Sequence, residues 1–273
     1  MADPTFEVLA GVEPGPLLEA EVPYGGRLRF PDRPRPYIVA NFVSTIDGVV
    51  SLGISDGTDS STIGATSAAD RYVMAMLRAA ADAVVIGAGT LRATPGHQWV
   101  AAAIAGDRRG LFAAYREELH GSAEPAPLVV VSARGDLPAH VALDRPATRT
   151  VVLTTPAGAA KVRAAHPRVE PVELNGNTGI SASAIVEAVS TVARSGVVLT
   201  EGGPLLLGQL IAARAVHELF LTVSPRIAGR EHDHPRPGLV EGWAAGPGEL
   251  RRSALESVRR SGDHLFLRYR LEP

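Results

Sequence analysis

Cysteine is absent from all 273 residues, which excludes disulfides, thiolate catalysis and any cysteine-ligated zinc or iron–sulfur centre. That absence leaves the compartment open. Lysine is almost as scarce, since Lys161 is the only one among 27 basic residues. Arginine suits bidentate recognition of phosphate and carboxylate, and with abundant alanine and glycine the bias equally fits genome composition. There is no basic block, and the formal charge is −2. A dedicated nucleic-acid surface is therefore disfavoured, because tracking phosphates needs clustered Lys and Arg. No apolar run approaches the length of a membrane span, and Met1-Ala2-Asp3-Pro4 offers neither the basic n-region nor the apolar h-region of a secretion signal. A soluble cytoplasmic protein with no membrane partner is the expectation.

What is present begins with an arm. Prolines at 14, 16, 23, 31, 34 and 36 interrupt any period over residues 1–36, and the segment is expected to lie extended across the body or a partner subunit. One domain, residues 37–273, follows. Y-I-V-A-N-F-V-S at 37–44 reads as a strand, T-I-D-G at 45–48 as its turn, Val49 to Leu52 as a short hairpin strand, and 53–65 as a loop. Ser67 is a credible N-cap for a helix to about Ala81, with Tyr72, Val73, Met76, Leu77 and Ala80 on one face. Further strands are expected at 81–87, 127–132, 149–155, 169–174 and 216–224, with helices near 107–120, 157–165 and 181–194. Two runs at 250–258 and 263–271 read as an antiparallel ribbon. Alternating strands and helices imply an α/β fold with a mostly parallel sheet and helices on both faces.

The organising stretch is V-V-L-T-E-G-G-P-L-L-L-G-Q-L, Val197 to Leu210, a buried strand, a tight turn and a helix opening on Pro204. Gly202 and Gly203 either let the backbone approach a phosphate at the helix N-terminus or simply make the turn. Gly87-Ala88-Gly89-Thr90 is a second Gly-rich strand-to-helix turn. Two phosphate cradles on one sheet suit a dinucleotide, although neither is a G-x-G-x-x-G fingerprint or a P-loop. After V-V-V, Ser132 and Arg134 are placed to hold a ribose 2′-phosphate, which would select NADPH, or else stand solvated. Asp47 at a strand end either bonds a heterocycle's N–H groups or makes an Asx turn, and Glu201 poses the same choice. Arg230-Glu231-His232-Asp233-His234 looks superficially like a metal site, but a polar post-strand loop explains it better. His217 reads as structural.

With these residues in hand, the chain resembles the reductase domain of the riboflavin-pathway deaminase/reductase proteins. The matches are R-P-Y-I-V-A-N-F-V-S-T-I-D-G at 35–48, L-R-A-A-A-D-A-V-V-I-G-A-G-T-L-R-A at 77–93, L-T-E-G-G-P-L-L-L-G at 199–208 and V-H-E-L-F-L-T-V-S-P-R-I-A-G at 216–229. The resemblance implies a dihydrofolate-reductase-like sheet and NADPH as hydride donor. It places Gly87, Gly89 and Thr90 near one part of the dinucleotide, Gly202 and Gly203 near its pyrophosphate, and Asn41, Asp47 and Glu201 near nicotinamide and substrate. The implied reaction reduces the ribosyl C1′ of 5-amino-6-(5-phosphoribosylamino)uracil, a small heterocycle, to a ribityl chain, and a homodimer is implied as well. The acid that completes proton transfer is not identified.

The sequence departs from the family pattern in three places. Without cysteine it cannot carry the zinc deaminase of the bifunctional members. Asn41 stands where many bacterial members have lysine. The usual acidic D-D-P after G-A-G-T is Thr94-Pro95-Gly96, and no substrate-phosphate arginine segment follows. That loss favours one rival, a paralogue reducing dihydrofolate or another pterin. A rival of another class is a catalytically idle dinucleotide-binding protein.

Overall fold

Four short runs, Ala83–Gly87, Leu128–Val131, Thr150–Thr154 and Val197–Thr200, are buried almost end to end. Apolar β-branched runs without polar alternation need cover on both faces, which a parallel sheet with helices on each side supplies. The structure, a computed structural model, describes residues 4–11, 28, 30–31, 36–54, 58–176, 179–233 and 236–272.

In chain order the described residues form β1 (Glu7–Ala10), β2 (Tyr37–Ser44), α1 (Asp59–Ile63), α2 (Ala68–Ala80), β3 (Ala83–Gly87), α3 (Ala88–Ala93), α4 (Ala101–Ile104), α5 (Arg109–His120), β4 (Leu128–Val131) and α6 (Val141–Asp144). Then come β5 (Thr150–Thr154), α7 (Pro156–Ala165), β6 (Glu170–Glu173), α8 (Ala182–Val192), β7 (Val197–Thr200), α9 (Pro204–Ala212), β8 (Glu218–Val223), β9 (Ser253–Ser261) and β10 (His264–Leu271). They make one sheet of order β1-β9-β10-β8-β2-β7-β3-β4-β5-β6. From β8 to β6 every pairing is parallel, whereas β10, β9 and β1 extend the sheet antiparallel. This is the mixed, mostly parallel sheet with a C-terminal antiparallel hairpin that the sequence implies.

Alternation along β2 divides the core. Tyr37 and Val39 join the cluster under α2 and α5, while Ile38 and Ala40 join the one under α8 and α9. Helix α2 starts where expected, with the Ser67 hydroxyl accepting from the Asp70 N–H at 3.2 Å. A buried network fastens the hairpin to the parallel strands: Tyr37 Oη donates to Glu218 Oε1 at 2.8 Å, and Arg268 Nε donates to Glu218 Oε2 at 2.7 Å.

Three expectations are corrected. Residues 49–52 form no strand, because the Val49 and Val50 N–H groups donate to Thr45 Oγ1 and the Pro237 carbonyl rather than to a ladder. The loop at 53–65 contains α1, whose opening Asp59 accepts from Ser51 Oγ at 2.6 Å and from the Leu52 N–H at 2.7 Å. Within the arm, the proline-free residues 7–10 pair with β9 as an edge strand. Most of the remaining arm lies outside the described residues. No helix among the described residues is long and apolar enough to cross a membrane.

Candidate active site

Parallel strands deliver their carboxyl ends to one rim of the sheet, where ligands of open α/β proteins collect. A cleft of about 650 Å³ lies there, bordered by Asn41 of β2, Gly87 of β3, Val131 of β4 and Glu201 just past β7. Asn41, Gly87, Gly89, Thr90, Glu201 and Gly203 all line it.

The two Gly-rich turns meet in one wall. The Gly203 N–H donates to Thr90 Oγ1 at 2.6 Å, and the Glu201 N–H donates to the Val85 carbonyl at 3.1 Å. Gly202 is turned away from the cleft: a Cβ there would stand 2.5 Å from Gly87 N and 2.5 Å from Ile86 Cα. Only glycine lets the exits of β7 and β3 pass so closely. At Gly89, by contrast, a Cβ would meet nothing within 4 Å. Helix α9 begins at Pro204 with no side-chain cap from Gly203, leaving its first N–H groups without that partner.

Helix α2 contributes residues the sequence reading did not single out. Asp70, Met74 and Arg78 line the cleft at i, i+4 and i+8, one stripe of a helix. That spacing was the available signal, hidden beside the apolar face. Arg78 forms an ion pair with Glu201 at 2.7 Å, the two side chains being 2% and 8% exposed. Its Nε donates to both Glu201 oxygens at 3.1 and 3.2 Å, its Nη1 to the Gln98 carbonyl at 3.3 Å, and its Nη2 reaches His97 Nε2 at 2.9 Å. Since the guanidinium has only donors, His97 Nε2 is assigned as the acceptor and its proton to Nδ1. Burial, then the Arg78 charge, then His140 push His97 down to about 3, so the ring is neutral. His97 stands edge-on to Trp99, centroids 5.0 Å apart.

Asp70 differs from the other cleft carboxylates. It is buried and bonded to the Thr222 hydroxyl of β8; burial raises its carboxyl above the ordinary range, with nearby Glu201 adding to the rise, against Thr222, His264 and Arg71.

Asp47, Ser132 and Arg134 do not border the cleft. Asp47 accepts from Thr45 Oγ1 at 2.6 Å, the Ala228 N–H at 3.1 Å and the Gly229 N–H at 2.7 Å, clamping the turn after β2 to the segment after β8. These bonds, led by Thr45, lower its carboxyl to about 2. The geometry is that of a turn clamp. Ser132 is buried beyond Val131, and the Arg134 side chain is 82% exposed. Around Asp136 gather Lys161 at 3.0 Å, Arg134 at 4.0 Å and Arg92, which donates to the Asp136 carbonyl at 3.1 Å. Among the described residues no His/Cys/Asp/Glu group could hold a metal. His234 of the polar loop lies outside them.

Comparison with known proteins agrees with this architecture. The 2,5-diamino-6-ribosylamino-4(3H)-pyrimidinone 5′-phosphate reductase of Archaeoglobus fulgidus is 27% identical over 234 residues, covering 84% of this chain and 95% of that protein. A pyrimidine reductase-like protein from Corynebacterium diphtheriae superposes with a TM-score of 0.63 at 21% identity, covering 87% of this chain and 92% of its own. Acinetobacter baumannii RibD superposes with a TM-score of 0.61 at 17% identity over 88% of this chain, which spans 59% of that longer protein. The Saccharomyces cerevisiae reductase Rib7 gives 0.54 at 14% identity, over 89% and 93% of the two chains. These likenesses carry the fold. The cleft, with its paired glycine turns, lies within residues 36–256, which match the model of the RibD C-terminal domain, and the chain belongs to that family.

Proposed function

We propose that this chain transfers hydride from NADPH to the ribosyl C1′ of a phosphoribosylaminopyrimidine, leaving a ribityl chain, as a reductase of riboflavin synthesis. The observation that carries the reading is the single glycine wall made where the β3 and β7 exits meet through Thr90 and Gly203. It borders a cleft within the size range of small-molecule sites, about 650 Å³. The catalytic unit in this reading is residues 37–273, with 1–36 as an arm. A cytoplasmic setting is carried over as the expectation from the sequence, and homodimeric assembly enters from the family resemblance alone.

The residues fit a phosphorylated dinucleotide. Open space before Gly89 and the uncapped start of α9 let backbone N–H groups approach a pyrophosphate. Gly87, Thr90 and Gly203 would complete that cradle, while Gly202 serves it by holding the two turns together. Ser132 and Arg134, with Arg92 and Lys161 nearby, offer a hydroxyl and cations for a 2′-phosphate. When bound, the nicotinamide supplies a hydride. Asn41 lines the cleft from β2, where it would face the reacting rings, and Arg78 holds the Glu201 carboxylate through a 2.7 Å bond. Met74, Leu205 and Leu206 give the cleft apolar walls, which would help to keep water from the transfer once ligands are bound.

The substrate ring is the open choice, since the archaeal relative is named for a 2,5-diamino pyrimidinone. NADPH oxidation by the purified protein, compared across that compound, 5-amino-6-(5-phosphoribosylamino)uracil and dihydrofolate, decides it. Selective turnover of either phosphoribosylaminopyrimidine is expected. Selective turnover of dihydrofolate, or tight NADPH binding with no turnover, would overturn the reading.

A further inference from the structure

We propose that Asp70 is the general acid of this reduction, giving its proton to the ribosyl ring oxygen O4′ as the C1′–O4′ bond opens. The proposal rests on the reading of the cleft as a phosphoribosylaminopyrimidine site. It supplies a group that hydride transfer alone leaves unaccounted for.

Position comes first. Asp70 stands in the first turn of α2, three residues after the Ser67 cap, where an acid often folds back on the cap's own N–H. Here that N–H donates to the Gly64 carbonyl at 3.0 Å, and Asp70 instead lines the cleft shared with Asn41 and Glu201. Its hydroxyl partner, Thr222, comes from β8, directly beside β2.

The other cleft carboxylates are committed elsewhere. Both Glu201 oxygens accept from the buried Arg78. Asp59 accepts from Ser51 and Leu52. His97 is neutral, and its Nε2 is occupied by Arg78. The charged and titratable groups around Asp70 are His264 on β10, Glu201 past β7 and Arg71 beside it on α2. Arg71 donates to the Thr66 carbonyl at 2.8 Å, and His264 Nε2 bonds the Gly64 carbonyl at 3.1 Å. Burial outweighs them and raises the Asp70 carboxyl, the direction that favours its acid form.

The step balances. The Asp70 proton passes to O4′, the C1′–O4′ bonding pair becomes an O–H bond, and the amine nitrogen's lone pair forms C1′=N. A reduced nicotinamide held in the cleft would supply the hydride that C1′ accepts, with the C=N pair returning to nitrogen and the cofactor left oxidised. Asp70, now a carboxylate, regains a proton from water before the next turnover.

Asp70→Asn in the full chain tests this. We expect kcat to fall by about 10²–10⁴-fold with NADPH affinity by fluorescence titration unchanged. The wild-type loss of rate at alkaline pH should vanish with it. Infrared difference spectra of the wild type at neutral pH should contain a protonated-carboxyl band that the variant lacks. Thr222→Val keeps the acid but removes a hydroxyl that favours its charged form, and should move the alkaline limb to higher pH. A wild-type rate and limb in Asp70→Asn, no carboxyl band in the wild type, or an unmoved limb in active Thr222→Val would each overturn the proposal while leaving the functional reading intact. A wild type inactive on both pyrimidines overturns the two together.

Discussion

Arg78 is the residue whose loss should be felt most widely, because it holds Glu201, two carbonyls and His97 at once. Arg78→Met leaves a buried carboxylate without its cation, at a cost of about 3–5 kcal/mol, measurable by urea denaturation; a loss below 1 kcal/mol would mean the pair is solvated. His97 gives the site a pH signature. The folded ring titrates near 3, whereas an unfolded histidine titrates near 6.5. The unfolded chain therefore binds the extra proton first, and stability falls as pH drops through the window from about 6.5 to 3. His97→Gln should flatten that limb by an amount on the order of a few kcal/mol; an unchanged slope would show that the ring is not buried as described. Gly202 and Gly89 separate packing from binding. Gly202→Ala drives a methyl into the Ile86–Gly87 backbone and should destabilise by about 1–3 kcal/mol. Gly89→Ala has room, and should leave the melting temperature alone while weakening NADPH; the reverse pattern would exchange their roles.

Among the elements, α2 is the most consequential, since its inner faces carry both core and cleft lining. Ser67→Ala removes the cap and should cost about 1 kcal/mol, with NADPH turnover falling further than stability if the cap also sets Asp70; proportional losses would confine Ser67 to the helix. The elements that were legible in the sequence are those whose composition leaves no alternative: β3, β4, β5 and β7 are apolar runs, and α2, α7 and α8 begin at Ser or Thr caps. The two glycine turns were legible for the same reason. Less visible was the stripe of Asp70, Met74 and Arg78, because at one-letter level a charge at the edge of an apolar face looks like a solvated one. Asp47 misled in the opposite direction, its polar strand-end position answering to a hydrogen-bonded clamp 181 and 182 residues away in sequence. Helix α1 was hidden because Gly, Ser, Asp and Thr carry little helical preference, and what orders its start is Asp59 reaching back to Ser51 and Leu52.

At the scale of the molecule, the strand order separates two kinds of pairing. Strands β3, β4, β5 and β6 lie side by side in the order they occur, while β2 sits between β7 and β8, whose residues follow it by more than 150 positions. Pulse-labelled hydrogen exchange during refolding should find the amides of β3 to β6 protected before those of β2 and β8; simultaneous protection would overturn that order. The same insertion has a consequence during translation. Tyr37–Ser44 leaves the ribosome as an apolar strand with both edges open, and neither neighbour exists until residues 197–223 have been made. Closing so long a loop is slow, and an unpaired strand is prone to aggregate while it waits. The strand that brings Asn41 to the cleft is thus the part of the nascent chain most in need of a chaperone.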